Sequence, residues 1–141
     1  MQKASISSEQ FDHFIQHPDH VDQRWELING EIIEVVSENY SSELAITIAA
    51  FIKRHLREQG IHVRVTGADG GYIIGGNHFI PDVAYISAEK QPEPSREAYN
   101  PNHPDLVVEV ISPNDKLCDV AVKTNAYQAA GILAWVLYPD E

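Results

Sequence analysis

Glu109 is the single charge in the run Leu106-Val107-Val108-Glu109-Val110-Ile111. A stretch apolar on both faces reads as a strand in the middle of a covered sheet. An ionised carboxylate there costs several kcal/mol unless it meets a cation or hydrogen-bond donors. Two partners can offset that cost, a lysine in a buried ion pair or a metal ion, and costly groups of this kind gather at functional sites. Asp82 bears on the choice. It follows Pro81 and enters Val83-Ala84-Tyr85-Ile86, so it stands at a strand start, where a plain turn aspartate is also common. A second carboxylate on a neighbouring strand is what a hard cation such as Mg²⁺ requires, with water and substrate phosphate completing its shell. Lys123 is the third element. Asp119, Lys123 and Tyr127 are spaced i, i+4, i+8 and share one face of a helix that follows Glu109. If that face leans over the sheet, Lys123 reaches the carboxylates; a surface pair with Asp119 would contribute only about 0.2–0.5 kcal/mol. Lys116 is a rival partner, but it sits at the helix start and is expected to be exposed.

These residues need a frame. Ser7 and Gln10 form a capping-box pattern, so a short helix starts near Ser8 and ends by Pro18. His13, His17 and His20 lie here without the further ligands a zinc site needs, and read as structural or surface histidines. Trp25–Ile28 and Glu31–Val36 flank Asn29-Gly30, whose positive φ angles make a type I′ hairpin. Leu44, Ile48, Phe51, Ile52 and Leu56 mark an amphipathic helix over about 42–59, with Gly60 at its C-terminal cap. Its polar face carries Lys53, Arg54, His55 and Arg57. Strand-like runs follow at 62–66, 71–74 and 83–86, separated by Asp69-Gly70-Gly71 and Gly75-Gly76-Asn77. The segment 91–104, with four prolines, reads as an exposed loop. After the Glu109 strand, Ser112-Pro113-Asn114-Asp115 leads into a helix over about 116–130, and 133–138 is a last strand reached by a right-handed crossover. The fold expected is α/β: one mixed central sheet flanked by helices, with an N-terminal hairpin.

A chain of 141 residues fits one domain, 1–141. Its one cysteine, Cys118, excludes an internal disulfide and fits a reducing compartment. The polar start from Met1 to Gln10 lacks the apolar stretch of a signal peptide, and no apolar run is long enough to span a bilayer. The expectation is a soluble, cytoplasmic protein. A net charge of −11 opposes broad nonspecific nucleic-acid binding, although a local basic strip can coexist with an acidic whole. No GxGxxG or Walker loop is present, no GxSxG elbow, and Cys118 has no histidine partner in sequence.

Pro81-Asp82, the strand from Leu106 through Ser112-Pro113, the series Asp119…Lys123…Tyr127…Ala130-Gly131 and the hairpin Trp25-Glu26-Leu27-Ile28-Asn29-Gly30-Glu31-Ile32 together resemble the Uma-two family of restriction endonucleases. The likeness runs from about Trp25 to Pro139. It implies the restriction-endonuclease-like core of the PD-(D/E)XK nucleases and their chemistry, with Asp82 in the place of the PD aspartate and Glu109 in that of the (D/E). The usual lysine two positions on is Ile111 here, and Lys123 matches the position to which its role has moved. Glu26 matches a recurring acidic residue expected to approach the metal from the side, with Asp119 and Tyr127 in support.

The chain departs from the family pattern at Tyr40-Ser41-Ser42, where members carry a histidine, and at Tyr138, where they carry an acid. Members also continue for one or more strands beyond the point matching Glu141, so the last strand is expected to leave a sheet edge open. On this reading Asp82, Glu109 and the Val110 carbonyl hold Mg²⁺ or Mn²⁺, and Lys123 acts at an open cleft on the attacking water or the phosphate. The substrate expected is DNA, cut by a homodimer. The alternative is a catalytically inactive nuclease fold kept as a binding or regulatory module.

Overall fold

A computed structural model describes residues 4–139. It contains helices α1 (Ser8–Gln16), α2 (Asn39–Glu58) and α3 (Leu117–Ala129). The strands are β1 (Trp25–Ile28), β2 (Glu31–Glu34), β3 (Val63–Thr66), β4 (Gly71–Ile74), β5 (Asn77–Phe79), β6 (Val83–Ser87), β7 (Tyr99–Asn100), β8 (Leu106–Val110) and β9 (Leu133–Leu137). The local signals act where they stand in the sequence. The Ser7 hydroxyl accepts from the Gln10 N–H while the Gln10 side chain accepts from the Ser7 N–H, which starts α1. Asn29 and Gly30 take φ of 50° and 79°, closing the β1–β2 hairpin. Gly60 and Gly131, at φ of 73° and 74°, turn the chain out of α2 and α3.

The strands divide between two sheets where the sequence reading has one. A five-stranded sheet runs β2-β1-β5-β4-β7 and a four-stranded sheet runs β3-β6-β8-β9. Both are mixed: β4–β7 and β8–β9 pair in parallel and the other neighbours antiparallel. Strands β5 and β7 carry no signal of their own. The first is three residues after a glycine turn, and the second is two residues inside the proline-rich loop, held by β4.

The four-stranded sheet is covered on both faces, which explains the apolar character of β8. On one face Val83, Leu106, Val108 and Val110 pack against Ala45 and Ile52 of α2. On the other, Ala84 and Val107 pack with Tyr127 of α3 and with Ile28, Tyr72, Ile74 and Phe79 of the five-stranded sheet. Alternation along β8 therefore turns Glu109 towards α3 and the second sheet. On β9, Leu133, Trp135 and Leu137 alternate outwards and stay exposed at the sheet's edge.

Candidate active site

Strand register brings the two carboxylates together. Val83 pairs with Val108 and Ala84 with Val107, so one further step places Asp82 opposite Glu109 on the same face. Residues opposed in this way carry Cβ atoms about 4.5–5.5 Å apart. β6 begins only at Val83, which leaves the Val110 N–H without a strand partner, and Asp82 Oδ2 accepts it at 2.7 Å. The N–H and C=O of one strand residue point to the same edge, so the Val110 carbonyl faces the Asp82 side as well. The next N–H, that of Ile111, turns the other way to the Leu137 carbonyl.

Lys123 reaches across from α3 and lies between two acids. Its Nζ is 2.9 Å from Glu109 Oε1 and 2.9 Å from Glu26 Oε2, with all three side chains about 10% exposed. Tyr127, one turn on, donates its hydroxyl to Glu109 Oε1 at 2.7 Å. Glu26 Oε2 also accepts the Ile80 N–H at 2.7 Å, tying the hairpin to the segment that leads into Asp82. Asp119 lines the cleft but makes no ion pair with Lys123, which leans over the sheet to Glu109 and also reaches Glu26. Lys123 lines the wall of the cleft but is itself 8% exposed, so it does not stand free in open solvent. Lys116 is exposed at the cleft mouth, as expected of it.

Burial raises the Glu109 carboxyl to about 7, against the pull of Lys123, and the neighbouring Glu26 and Asp82 charges push the same way as burial. Burial raises Asp82 too, opposed by the Val110 N–H and then by Lys123. Burial alone would lower the Lys123 ammonium, but Glu109 and Glu26 outweigh it and hold it above its ordinary range. The Tyr127 hydroxyl is raised by burial and then by Glu109, so it stays a donor.

The oxygens left over decide what the site can hold. Among the described residues no protein donor reaches Asp82 Oδ1 or Glu109 Oε2, and neither is sealed from solvent. Both residues line a cleft with Ser37, Ser41, Ser112 and Asp115. Four carboxylates, Glu26, Asp82, Glu109 and Asp115, against Lys123 leave excess negative charge in it. Among the described residues no three His, Cys, Asp or Glu side chains converge into a metal cage. Two carboxylates and a backbone carbonyl, all oxygen donors, instead fit the habit of Mg²⁺ and Mn²⁺, which keep several waters. Among the described residues the histidines form no alternative centre: His20 packs on Phe14 and Trp25, His17 lies against His20 and Asp19, and His13 is exposed.

The sequence reading missed that Glu26 pairs with Lys123, and it missed Ser41 and Asp115 in the cleft. Glu26 carried a signal, since a charge inside the hairpin's apolar run needs a partner as Glu109 does. The Tyr40-Ser41-Ser42 departure falls in the first turn of α2, where buried Ser41 donates to Glu38 at 3.2 Å.

A crystal structure titled as a putative nuclease belonging to DUF820, from Anabaena variabilis ATCC 29413, superposes with a TM-score of 0.74 at 19% identity, over 96% of this chain and 75% of that one. At that identity the likeness establishes the fold. No curated protein matches the sequence. Residues 9–141 match the family Uma2, described as putative restriction endonuclease, and the chain belongs to that family.

Proposed function

We propose that the protein is a Mg²⁺- or Mn²⁺-dependent endonuclease that hydrolyses phosphodiester bonds of DNA. The observation that carries this reading is the pairing of Asp82 with Glu109 on one face, each with an oxygen left free toward a solvent-open cleft. Asp82, Glu109 and the Val110 carbonyl are the atoms that would hold the ion. When bound, such an ion neutralises charge on the scissile phosphate and lowers the pKa of the attacking water. The chain's own residues do the rest. The Val110 N–H fixes the Asp82 carboxylate, Tyr127 and Lys123 fix that of Glu109, and Glu26 fixes Lys123. Lys123 thus acts first as a positioning residue and as a fixed positive charge beside the reacting phosphate. We place the enzyme in the cytoplasm, where the exposed free thiol of Cys118 stays reduced, and as a homodimer.

The test is incubation of supercoiled plasmid with the protein under Mg²⁺ or Mn²⁺, beside Glu109→Gln. Nicked and linear products from the wild type, with intact plasmid from the variant, are expected. A second reading, a nuclease fold kept as a binding module, draws on Lys123, which already partners Glu26 and Glu109 without any metal. Wild-type protein that binds DNA, leaves plasmid intact and shows no Mn²⁺-induced stabilisation would select it.

A further inference from the structure

The sequence holds 10 Lys and Arg against 21 Asp and Glu, yet its cations are not evenly spread. Lys53 and Arg57 project from the exposed side of α2, one helical turn apart, and neither has a carboxylate partner among the described residues. Arg64, on the neighbouring edge strand β3, donates Nε to the Gln91 carbonyl at 2.6 Å and a terminal nitrogen to the Pro92 carbonyl. Those bonds fix the guanidinium but leave its charge uncompensated. The nearby acids are partly neutralised already: Asp69 by Arg24 at 3.1 Å and Glu58 by Arg54 at 3.1 Å, with Glu97 remaining on the far wall.

This basic strip connects with the site. The cleft holding Glu109 and Lys123 shares Ser37 and Asp82 with a second cleft, lined by Arg24, Ser42 and Ala49. That one shares Asp69 with a third, which holds Lys53 and Arg64. The three make one groove beside α2. From Ser42 to Lys53 it runs about 17 Å at the ~1.5 Å rise of a helix. A strand of duplex DNA advances one phosphate per ~3.4 Å, so the groove spans roughly five phosphates, about half a duplex turn. Single-strand grooves carry exposed aromatic rings for bases to stack on. The one aromatic lining this groove, Tyr72, is 1% exposed, and its hydroxyl is bonded to Thr66 at 2.8 Å.

We propose that this groove is the track for duplex DNA, in which Lys53 and Arg64 in the groove, with Arg57 one helical turn beyond Lys53 on the exposed side of α2, hold backbone phosphates about half a turn from the bond positioned at Asp82 and Glu109. The proposal rests on the nuclease reading of that cleft, and its test separates the two. Binding of a labelled 20-base-pair duplex is followed by anisotropy in Ca²⁺, across a salt series, for the wild type, for Lys53→Ala/Arg57→Ala, and for Lys90→Ala as a control outside the groove. Both substituted residues are exposed, so melting temperatures should be unchanged. The double variant is expected to bind about tenfold or more weaker at low salt. The slope of log K against log salt should be shallower by about 1.8, two phosphates' worth. The Lys90 variant should match the wild type. Equal affinity and slope in the double variant overturn the track, as does tighter binding of single-stranded DNA than of duplex, or no duplex binding by the wild type. Plasmid cleavage reads the other question. Groove-dependent binding without cleavage sinks the nuclease reading and keeps the track, while cleavage indifferent to the double substitution does the reverse.

Discussion

Replacing Lys123 by Met keeps the side chain's bulk and removes its charge from between two buried carboxylates. Both Glu26 and Glu109 lie 2.9 Å from Nζ, and none of the three side chains is more than 10% exposed, so water can screen little of the loss. Breaking a buried pair in this way costs about 3–5 kcal/mol. For a domain of this size that corresponds to a fall in Tm of about 10–20 °C at pH 7.5. The pH dependence identifies the cause. In the wild type Glu109, raised to about 7, releases its proton near neutrality. In the variant the bare Glu26–Glu109 pair keeps a proton to higher pH. The folded variant then binds more protons than the folded wild type above pH 7, and the state with extra protons loses stability as pH rises. The deficit should therefore deepen by up to about 1.4 kcal/mol per pH unit above 7. Circular-dichroism melts of both proteins at pH 6.5, 7.5 and 8.5 measure it. A variant within 2 °C or so of the wild type at pH 7.5, or a deficit that shrinks as pH rises, would refute the reasoning.

Two further outcomes concern the metal. Millimolar Mn²⁺ should raise the wild-type Tm by linkage, and Asp82→Asn should abolish that rise while leaving the apo protein folded; scanning fluorimetry of both forms decides it. Because the ion must displace the proton that burial holds on Glu109 up to about 7, Mn²⁺ affinity should weaken about tenfold per pH unit below 7 and level off above it. A calorimetric affinity that is flat between pH 5.5 and 8 would exclude Glu109 as a ligand.

What could be read beforehand was whatever depends on near neighbours in the chain. Asn29-Gly30 specifies its own turn, Ser7 and Gln10 their own cap, and Leu44, Ile48, Ile52 and Leu56 the buried side of α2, although Phe51 of the same apolar series is exposed. Glu109 was legible because one charge in an apolar strand is a local contradiction. The misplaced features all depend on distant segments. That Lys123 reaches Glu26 as well as Glu109 turns on how α3 tilts over a second sheet, which helical spacing does not contain. The division into two sheets likewise depends on β5 and β7, too short to signal themselves and held by pairing with β4. Asp82 was placed at a strand start, but its bond to the Val110 N–H arises only because β6 begins two residues short of the position that would pair with Val110.

The doubly used oxygen of Glu26 sets an order of assembly. Oε2 accepts the Ile80 N–H, 54 residues away in the chain, and it also pairs with Lys123 on the last helix. Contacts of such long sequence separation form late, because loop-closure entropy must be overcome before they contribute. During synthesis the hairpin emerges early, yet its carboxylate has no counter-charge at this position until α3 has left the ribosome and docked. The cluster is thus among the last parts of the protein to acquire its geometry, and in a partly folded chain Glu26, Glu109 and Lys123 have not yet converged.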